Sequence, residues 1–397
     1  MNKRFKVVIA GAGGMGSAAG LLLRELGDFE VDVFIGDSNE ARARAAAAWI
    51  HEGSERPGEV TAFRLPSQGS SPDFVQVLEQ GNILLDCLPG KEAPRLARLA
   101  RAHHLHYANL TEHVKETQEV MAIAAGAEEG FLLQTGLAPG FVDVLGHGLY
   151  QRFCRDHGAT QAESLAMRVG ALTTNAHPPH YYGFTWSSIG VATEYIEPAT
   201  VLRDFQQTTR PSLADLAPII IHGIQYEEAL TSGGAADLPA VLAGKVRHLD
   251  YKTLRYPGHY AWIQSLLAEA PPGSSPAALC EYLQTRMEST IPFVEDDQVV
   301  IYSAVEGHDR EGTLRRLERS FVIHPVRVGA RLLKAIQATT SSALAEAARL
   351  LLTDDDLHGV QLQSQIDPAK FMAGPFVGTI YLGHPHPTAT RVQPVPG

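Results

Sequence analysis

Residues Lys6-Val7-Val8-Ile9-Ala10 run without a break into Gly11-Ala12-Gly13-Gly14-Met15-Gly16, and a small-residue segment, Ser17-Ala18-Ala19-Gly20, follows. This order predicts a buried strand, a tight glycine turn and the start of a helix. The three glycines do different things. Gly11 permits the turn, Gly13 lets backbone approach a pyrophosphate, and Gly16 lets helix and strand pack closely. The helix start, with Gly14 and Met15 in its first turn, presents unpaired N–H groups and a partial positive charge to phosphate. The pattern therefore predicts a dinucleotide site.

A second apolar run, Val31–Gly36, ends in Asp37, which lies 26 positions after Gly11 where about 20 is usual. A carboxylate there accepts hydrogen bonds from ribose hydroxyls and repels a 2′-phosphate. Ser38 follows in place of a phosphate-binding arginine, which favours NAD. Arg42 and Arg44, one helical turn on, leave NADP possible. Asp37 also reads as an N-cap for the helix beginning near Asn39.

The first third continues to alternate. Strands are predicted at 60–65, 82–90, 105–108 and 130–135, and helices at 40–51, 73–80, 92–103 and 113–128. Continuous apolar strands alternating with helices predict a doubly wound parallel sheet covered on both faces, a Rossmann-type α/β domain. Further on, strand-like runs at 164–172, 183–190, 224–231, 246–251, 298–306 and 318–325 predict an α+β domain with a mixed, largely antiparallel sheet. Helices are expected at 260–268, 276–288, 327–338 and 341–352. The expected division is a dinucleotide domain at 1–136 completed by 330–397, and a substrate and dimerisation domain at 137–329. The proline-rich stretch 385–397 reads as a loose tail.

Composition excludes several classes. With 44 acidic against 33 basic residues, the net charge of −11 argues against nucleic-acid and acidic-membrane partners. No apolar run is long enough to cross a bilayer, and the three scattered cysteines fit reduced thiols in the cytoplasm. His103, His104, His106, His177, His180, His384 and His386 lack zinc-type spacing, so no metal site is expected.

In a doubly wound sheet the ligand crevice lies at the carboxyl ends of the strands. This places Cys87, Leu88 and Pro89, then Asn109 with Glu112, and then Gly136 at the cofactor rim. In the second half, Tyr182, Trp186 and Ser187 form a polar-aromatic wall, although aromatic runs in strands often serve only as core. The segment Asp250–His259 carries Lys252 and Arg255, suited to carboxylates, and His259, suited to moving a proton near neutral pH. A solvated turn also describes that mixture.

These motifs together resemble the saccharopine dehydrogenase family, in particular its short members of the lysine 6-dehydrogenase and carboxynorspermidine dehydrogenase type. The resemblance rests on Gly11–Gly16, Asn109–Glu112, Gly136–Gly140, Phe184–Ser187 with Gly190 and Glu194-Tyr195, Thr231–Gly234 and Tyr251–His259. It implies NAD(P)-dependent hydride transfer at a carbon–nitrogen bond of a small lysine-derived amino acid or polyamine, a discontinuous cofactor domain, and a homodimer. Carried over by position, it implies that Lys252, Arg255 and the Trp186-Ser187 segment form the substrate wall, and Tyr182 joins them as a substrate-contact candidate from its place in the aromatic run. His259, Glu112 and Lys252 are the catalytic candidates. Asn109 stands where related sequences often have aspartate. Reductive condensation of the carboxy(nor)spermidine type, and an inactive NAD-binding sensor, are the alternatives.

Overall fold

A computed structural model describes residues 3–112 and 114–383, so the expected tail at 385–397, with His384 and His386, lies outside the described residues. The chain divides into two compact units. One is Met1–Phe141 with Pro325–Leu333 and Gln337–Gly397, and the other is Val142–His324 with Lys334–Ile336.

The first unit alternates strand and helix: β1 (Arg4–Ala10), α1 (Gly14–Leu26), β2 (Glu30–Asp37), α2 (Glu40–Gly53), β3 (Val60–Arg64), α3 (Pro72–Gln80), β4 (Ile83–Asp86), α4 (Ala93–Ala102), β5 (His106–Asn109), α5 (Val114–Ala124) and β6 (Gly130–Leu132). Val7, Val8, Ile9 and Ala10 are all fully buried, as is required of a strand covered on both faces.

The chain then supplies α6 (Phe141–His157), β7 (Ala162–Thr173), α7 (Ser188–Ile196), β8 (Ala199–Arg203), β9 (Gln206–Arg210), β10 (Ala217–Ile221) and β11 (Ile224–Leu230). After these come α8 (Leu238–Val241), β12 (Val246–Arg255), α9 (His259–Ala268), α10 (Pro276–Glu288), β13 (Asp297–His308) and β14 (Leu314–Ile323). Within this unit the strands order as β10-β11-β12-β7-β13-β14, with β8 joined to β12 and β9 to β8. Only β12 with β7 is parallel in that sheet. The α6 helix lies against β7, where a Cβ at Gly146 would come within 2.9 Å of Met167 Sδ.

The closing segment holds β15 (Val326–Val328), β16 (Arg331–Leu333), α11 (Ala335–Thr353), β17 (Gly359–Gln361), α12 (Pro368–Ala373) and α13 (Pro375–Leu382). The strand β17 adds parallel to β6 and completes the order β17-β6-β5-β4-β1-β2-β3. Ser341 Oγ donates to the Met15 carbonyl at 3.0 Å, tying α11 to the start of α1.

Three expectations change. The helix expected over 327–338 begins only at Ala335, and residues 326–333 before it form a hairpin, because Gly329 turns at φ 53° where a Cβ would strike the Gly53 carbonyl. The run 183–190 is not a strand: 183–187 is a loop and the rest is the first turn of α7, capped by Ser187 Oγ accepting from Gly190 N. Asn39, not Asp37, caps α2, accepting from Ala41 and Arg42.

Candidate functional site

The glycine turn is shaped as its residues require. Gly11 has φ +111°, and a Cβ there would sit 2.8 Å from the Cys87 carbonyl. A Cβ at Gly16 would sit 1.9 Å from the Gly11 carbonyl, so only glycine lets α1 close on the turn. A Cβ at Gly13, by contrast, meets nothing within 4 Å. That open position beside the helix start, whose first-turn N–H groups lack intrahelical partners, fits a pyrophosphate. Gly11, Gly13, Gly14, Met15 and Gly16 make up this turn and helix start. Gly14 is closed on its other side by Gln337, whose Nε2 lies 2.7 Å from the added Cβ.

Asp37 is buried at the end of β2. Its Oδ2 accepts from Ala12 N at 3.3 Å and its Oδ1 from Asn39 N at 2.9 Å. Arg42 stands 3.8 Å from Oδ2 with an exposed side chain. Ser38 is exposed. Cys87 and Leu88 are half-buried at the end of β4, and Pro89 is exposed. Burial pushes the Cys87 thiol up from its ordinary value.

Asn109 is fully enclosed. Its Oδ1 accepts from Gln134 N at 2.9 Å and its Nδ2 donates to Tyr107 Oη at 3.4 Å. It therefore braces the rim from beneath. Glu112 is half-buried in the same unit, and Gly136 is buried in the turn closed by Gly140.

In the second unit Arg255, 1% exposed, ends β12. Its Nε donates to Tyr195 Oη at 2.7 Å and its NH1 to the Leu254 carbonyl at 2.9 Å. The guanidinium carbon stands 4.6 Å from the Tyr182 ring centre and 5.5 Å from that of Tyr195. Burial opposes the charge, but Tyr195, Tyr182, Tyr260 and the Glu194 carboxylate more than offset it, so Arg255 stays cationic.

His259 opens α9 and is completely buried. Its Nδ1 is 2.6 Å from the His180 carbonyl, which can only accept, and its Nε2 is 3.0 Å from Tyr195 Oη. The imidazole is thus a neutral Nδ1–H tautomer. Burial first, and the Arg255 charge second, push it down to about 3. This corrects the expectation of a histidine titrating near neutrality.

Lys252 is separated from Arg255. Side chains alternate across a strand, so positions three apart face opposite ways. Lys252 Nζ pairs with Glu228 Oε1 at 2.9 Å and donates to the Asp215 carbonyl at 2.6 Å. Glu228 also pairs with Arg168, and Arg168 and Arg203 each reach Asp250 at 2.8 Å. Although burial opposes it, these two arginines hold the Asp250 carboxyl below its usual range. Lys252 and Arg255, both expected to meet substrate carboxylates, thus face opposite sides of β12, and Lys252 is already paired with Glu228. Tyr182 stays beside Arg255, half-buried Trp186 packs on that aromatic cluster, and Ser187 is an exposed helix cap.

Sequence reasoning missed Tyr195 as the link between Arg255 and His259, and missed Asp86 and Tyr107. Tyr195 is visible in the sequence only as part of the Glu194-Tyr195 motif.

A seven-stranded parallel sheet with a glycine turn at its first β–α junction, together with a separate mixed-sheet unit, is the architecture of a dinucleotide-binding protein with a second domain. The family described as "Saccharopine dehydrogenase NADP binding domain" matches residues 7–132, and "Saccharopine dehydrogenase C-terminal domain" matches residues 136–380. The chain belongs to the saccharopine dehydrogenase family. Among solved structures it is similar to apo saccharopine dehydrogenase (L-Glu forming) from Saccharomyces cerevisiae, at 16% identity and TM-score 0.71, covering 95% of this chain and 98% of that one. A myo-inositol dehydrogenase from Lactobacillus casei in complex with NAD(H) and myo-inositol matches at 13% identity and TM-score 0.44, over 100% and 98% of the two chains.

Proposed function

We propose that this dehydrogenase acts on the CH–NH or CH–NH2 group of a lysine-derived amino acid, with NAD as the preferred cofactor. The observation that carries the substrate class is Arg255: a buried, permanently charged guanidinium oriented by Tyr195 and stacked on Tyr182. A planar cation held in an aromatic surround suits a substrate carboxylate. Family membership supports chemistry at a carbon bonded to nitrogen. The Asp37 carboxylate at the ribose position supports NAD.

When bound, the nicotinamide accepts the hydride. The chain's own residues bind and orient: the glycine turn and α1 hold the pyrophosphate, Asp37 the adenosine ribose, and Arg255 the substrate carboxylate. His259, fixed as a neutral tautomer, keeps the Tyr195 hydroxyl aimed. His259 does not ionise in the working range and Lys252 is tied into the opposite face, so neither is suited to handle the proton, and of the three candidates the sequence offers Glu112 is the one left. A homodimer formed through the second unit accompanies this reading, and light scattering tests it.

The direct test follows nicotinamide reduction across lysine, saccharopine, ornithine and polyamine-derived amino acids. Turnover of lysine or saccharopine supports the reading. Activity only when an aldehyde and a diamine are supplied with NADPH replaces it with reductive condensation. Dinucleotide binding without turnover on any of them replaces it with a sensor.

A further inference from the structure

A buried chain of polar groups ties together the strand ends beneath the glycine turn. Asp86, the last residue of β4, is 2% exposed. Its Oδ1 accepts from Leu88 N at 3.0 Å, and its Oδ2 accepts from the Tyr107 hydroxyl at 2.8 Å. Tyr107, on β5 and fully buried, receives Asn109 Nδ2, and Asn109 Oδ1 accepts from Gln134 N just past β6. Gln134 holds a left-handed backbone at φ 61°, and its carbonyl accepts from Gln363 Nε2 at 2.9 Å, beyond β17. A non-glycine residue in that region is costly and is kept only where its surroundings fix it.

No ion pair joins Asp86 to a cation among the described residues. Burial pushes its carboxyl up to about 7, against the pull of Leu88, Tyr107 and Arg95. A carboxyl in such a place is expensive. What it supplies is two acceptor oxygens, one for the loop and one for β5. The loop it holds, Cys87-Leu88, is the wall against which Gly11 turns: a Cβ there would meet the Cys87 carbonyl at 2.8 Å and Leu88 Cδ2 at 3.2 Å.

We propose that Asp86 is a positioning residue for the nicotinamide half of the dinucleotide, acting through Leu88 and Tyr107 to set the Cys87–Pro89 loop. This rests on the dinucleotide reading of the glycine turn. In the sheet order β4-β1-β2, Asp86 ends the strand on one side of the glycine turn and Asp37 ends the strand on the other, so loss of Asp86 weighs more on the nicotinamide half than on the adenosine half.

The test measures the dissociation constants of NADH and ADP by titration calorimetry on the full chain, for the wild type, Asp86→Ala, Asp86→Asn and Tyr107→Phe. Asp86→Ala removes both acceptor oxygens at once and is expected to weaken NADH about tenfold. ADP affinity is expected to fall less. Asp86→Asn keeps an acceptor for Leu88 but turns a donor towards the Tyr107 hydroxyl, so it is expected to recover part of the NADH binding lost in Asp86→Ala. Tyr107→Phe keeps the test open should Asp86→Ala fail to fold, and is expected to weaken NADH more than ADP. Equal loss of both ligands, or loss of neither, overturns the proposal. A wild-type chain that binds neither ligand overturns the dinucleotide reading and this proposal with it.

Discussion

Tyr195 Oη lies 2.7 Å from Arg255 Nε and 3.0 Å from His259 Nε2. Because the guanidinium can only donate, the phenol proton points to the imidazole, and the imidazole Nδ1–H then points to the His180 carbonyl. One direction of donation runs through all four groups. It leaves a cation with a fixed plane inside an aromatic surround, which is the arrangement a carboxylate-binding arginine needs.

Replacing Arg255 with lysine keeps a charge but removes the fork that engages Tyr195 and a carboxylate together. The substrate KM is expected to rise about tenfold or more, the value of one lost charge-assisted hydrogen bond, with a smaller change in kcat. Steady-state kinetics at saturating dinucleotide measures it. An unchanged KM removes Arg255 from the substrate site.

The His259 imidazole is pushed down to about 3 by burial and by Arg255, from an ordinary value near 6.5. The unfolded chain therefore binds the proton more readily than the folded one between these values. The stability His259 contributes is complete above about pH 6.5 and is lost as pH falls towards 3, on the order of 5 kcal/mol in full. Thermal unfolding across this range should show the acid limb, and His259→Gln should flatten it. The pH–rate profile should carry no step near 6.5 from this residue.

Lys252 is expected to behave as a structural cation. Lys252→Met leaves Glu228 with a partner short in a buried network, a change of the kind that costs about 3–5 kcal/mol. Denaturant unfolding should show that loss while the substrate KM moves by less than about twofold, well below the tenfold of a lost charge-assisted contact. A large KM rise with stability intact would return Lys252 to the substrate site.

Cofactor choice turns on Asp37 and Arg42. Asp37→Ala removes both a ribose acceptor and the charge that repels a 2′-phosphate, while leaving Arg42 exposed beside the space. The ratio of kcat/KM for NAD over NADP is expected to fall at least about tenfold, one hydrogen bond to a charged group. Adding Arg42→Ala should then lower NADP use again. A ratio that stays constant places the ribose elsewhere.

Local pattern makes the first unit legible. Apolar strands buried on both faces and a glycine turn at the first β–α junction signal themselves within a few residues, and Gly11, Gly13 and Gly16 each stand where that signal puts them. The second unit is less open to reading. Residues 252–255 look like a compact basic cluster in the sequence, but β12 runs on to Arg255, and the twofold period of a strand sends Lys252 and Arg255 to opposite faces. The hairpin at 326–333 hides among helix-favouring arginine, alanine and leucine, and only the glycine turn at 329 marks it. Asp86 and Tyr107 lie 21 positions apart in two apolar strands. Only the register of β4 on β5 brings them together, and register is a property of the folded sheet.

The most direct measurement uses lysine or saccharopine carrying deuterium on the carbon bonded to the nitrogen that is oxidised, with NAD, and reads the mass of the reduced nicotinamide. One deuterium transferred to it, with slower turnover than for the unlabelled amino acid, is the expected result. Reduced nicotinamide formed without the label, or none formed from any amine while the dinucleotide binds, would contradict hydride transfer from a carbon beside nitrogen.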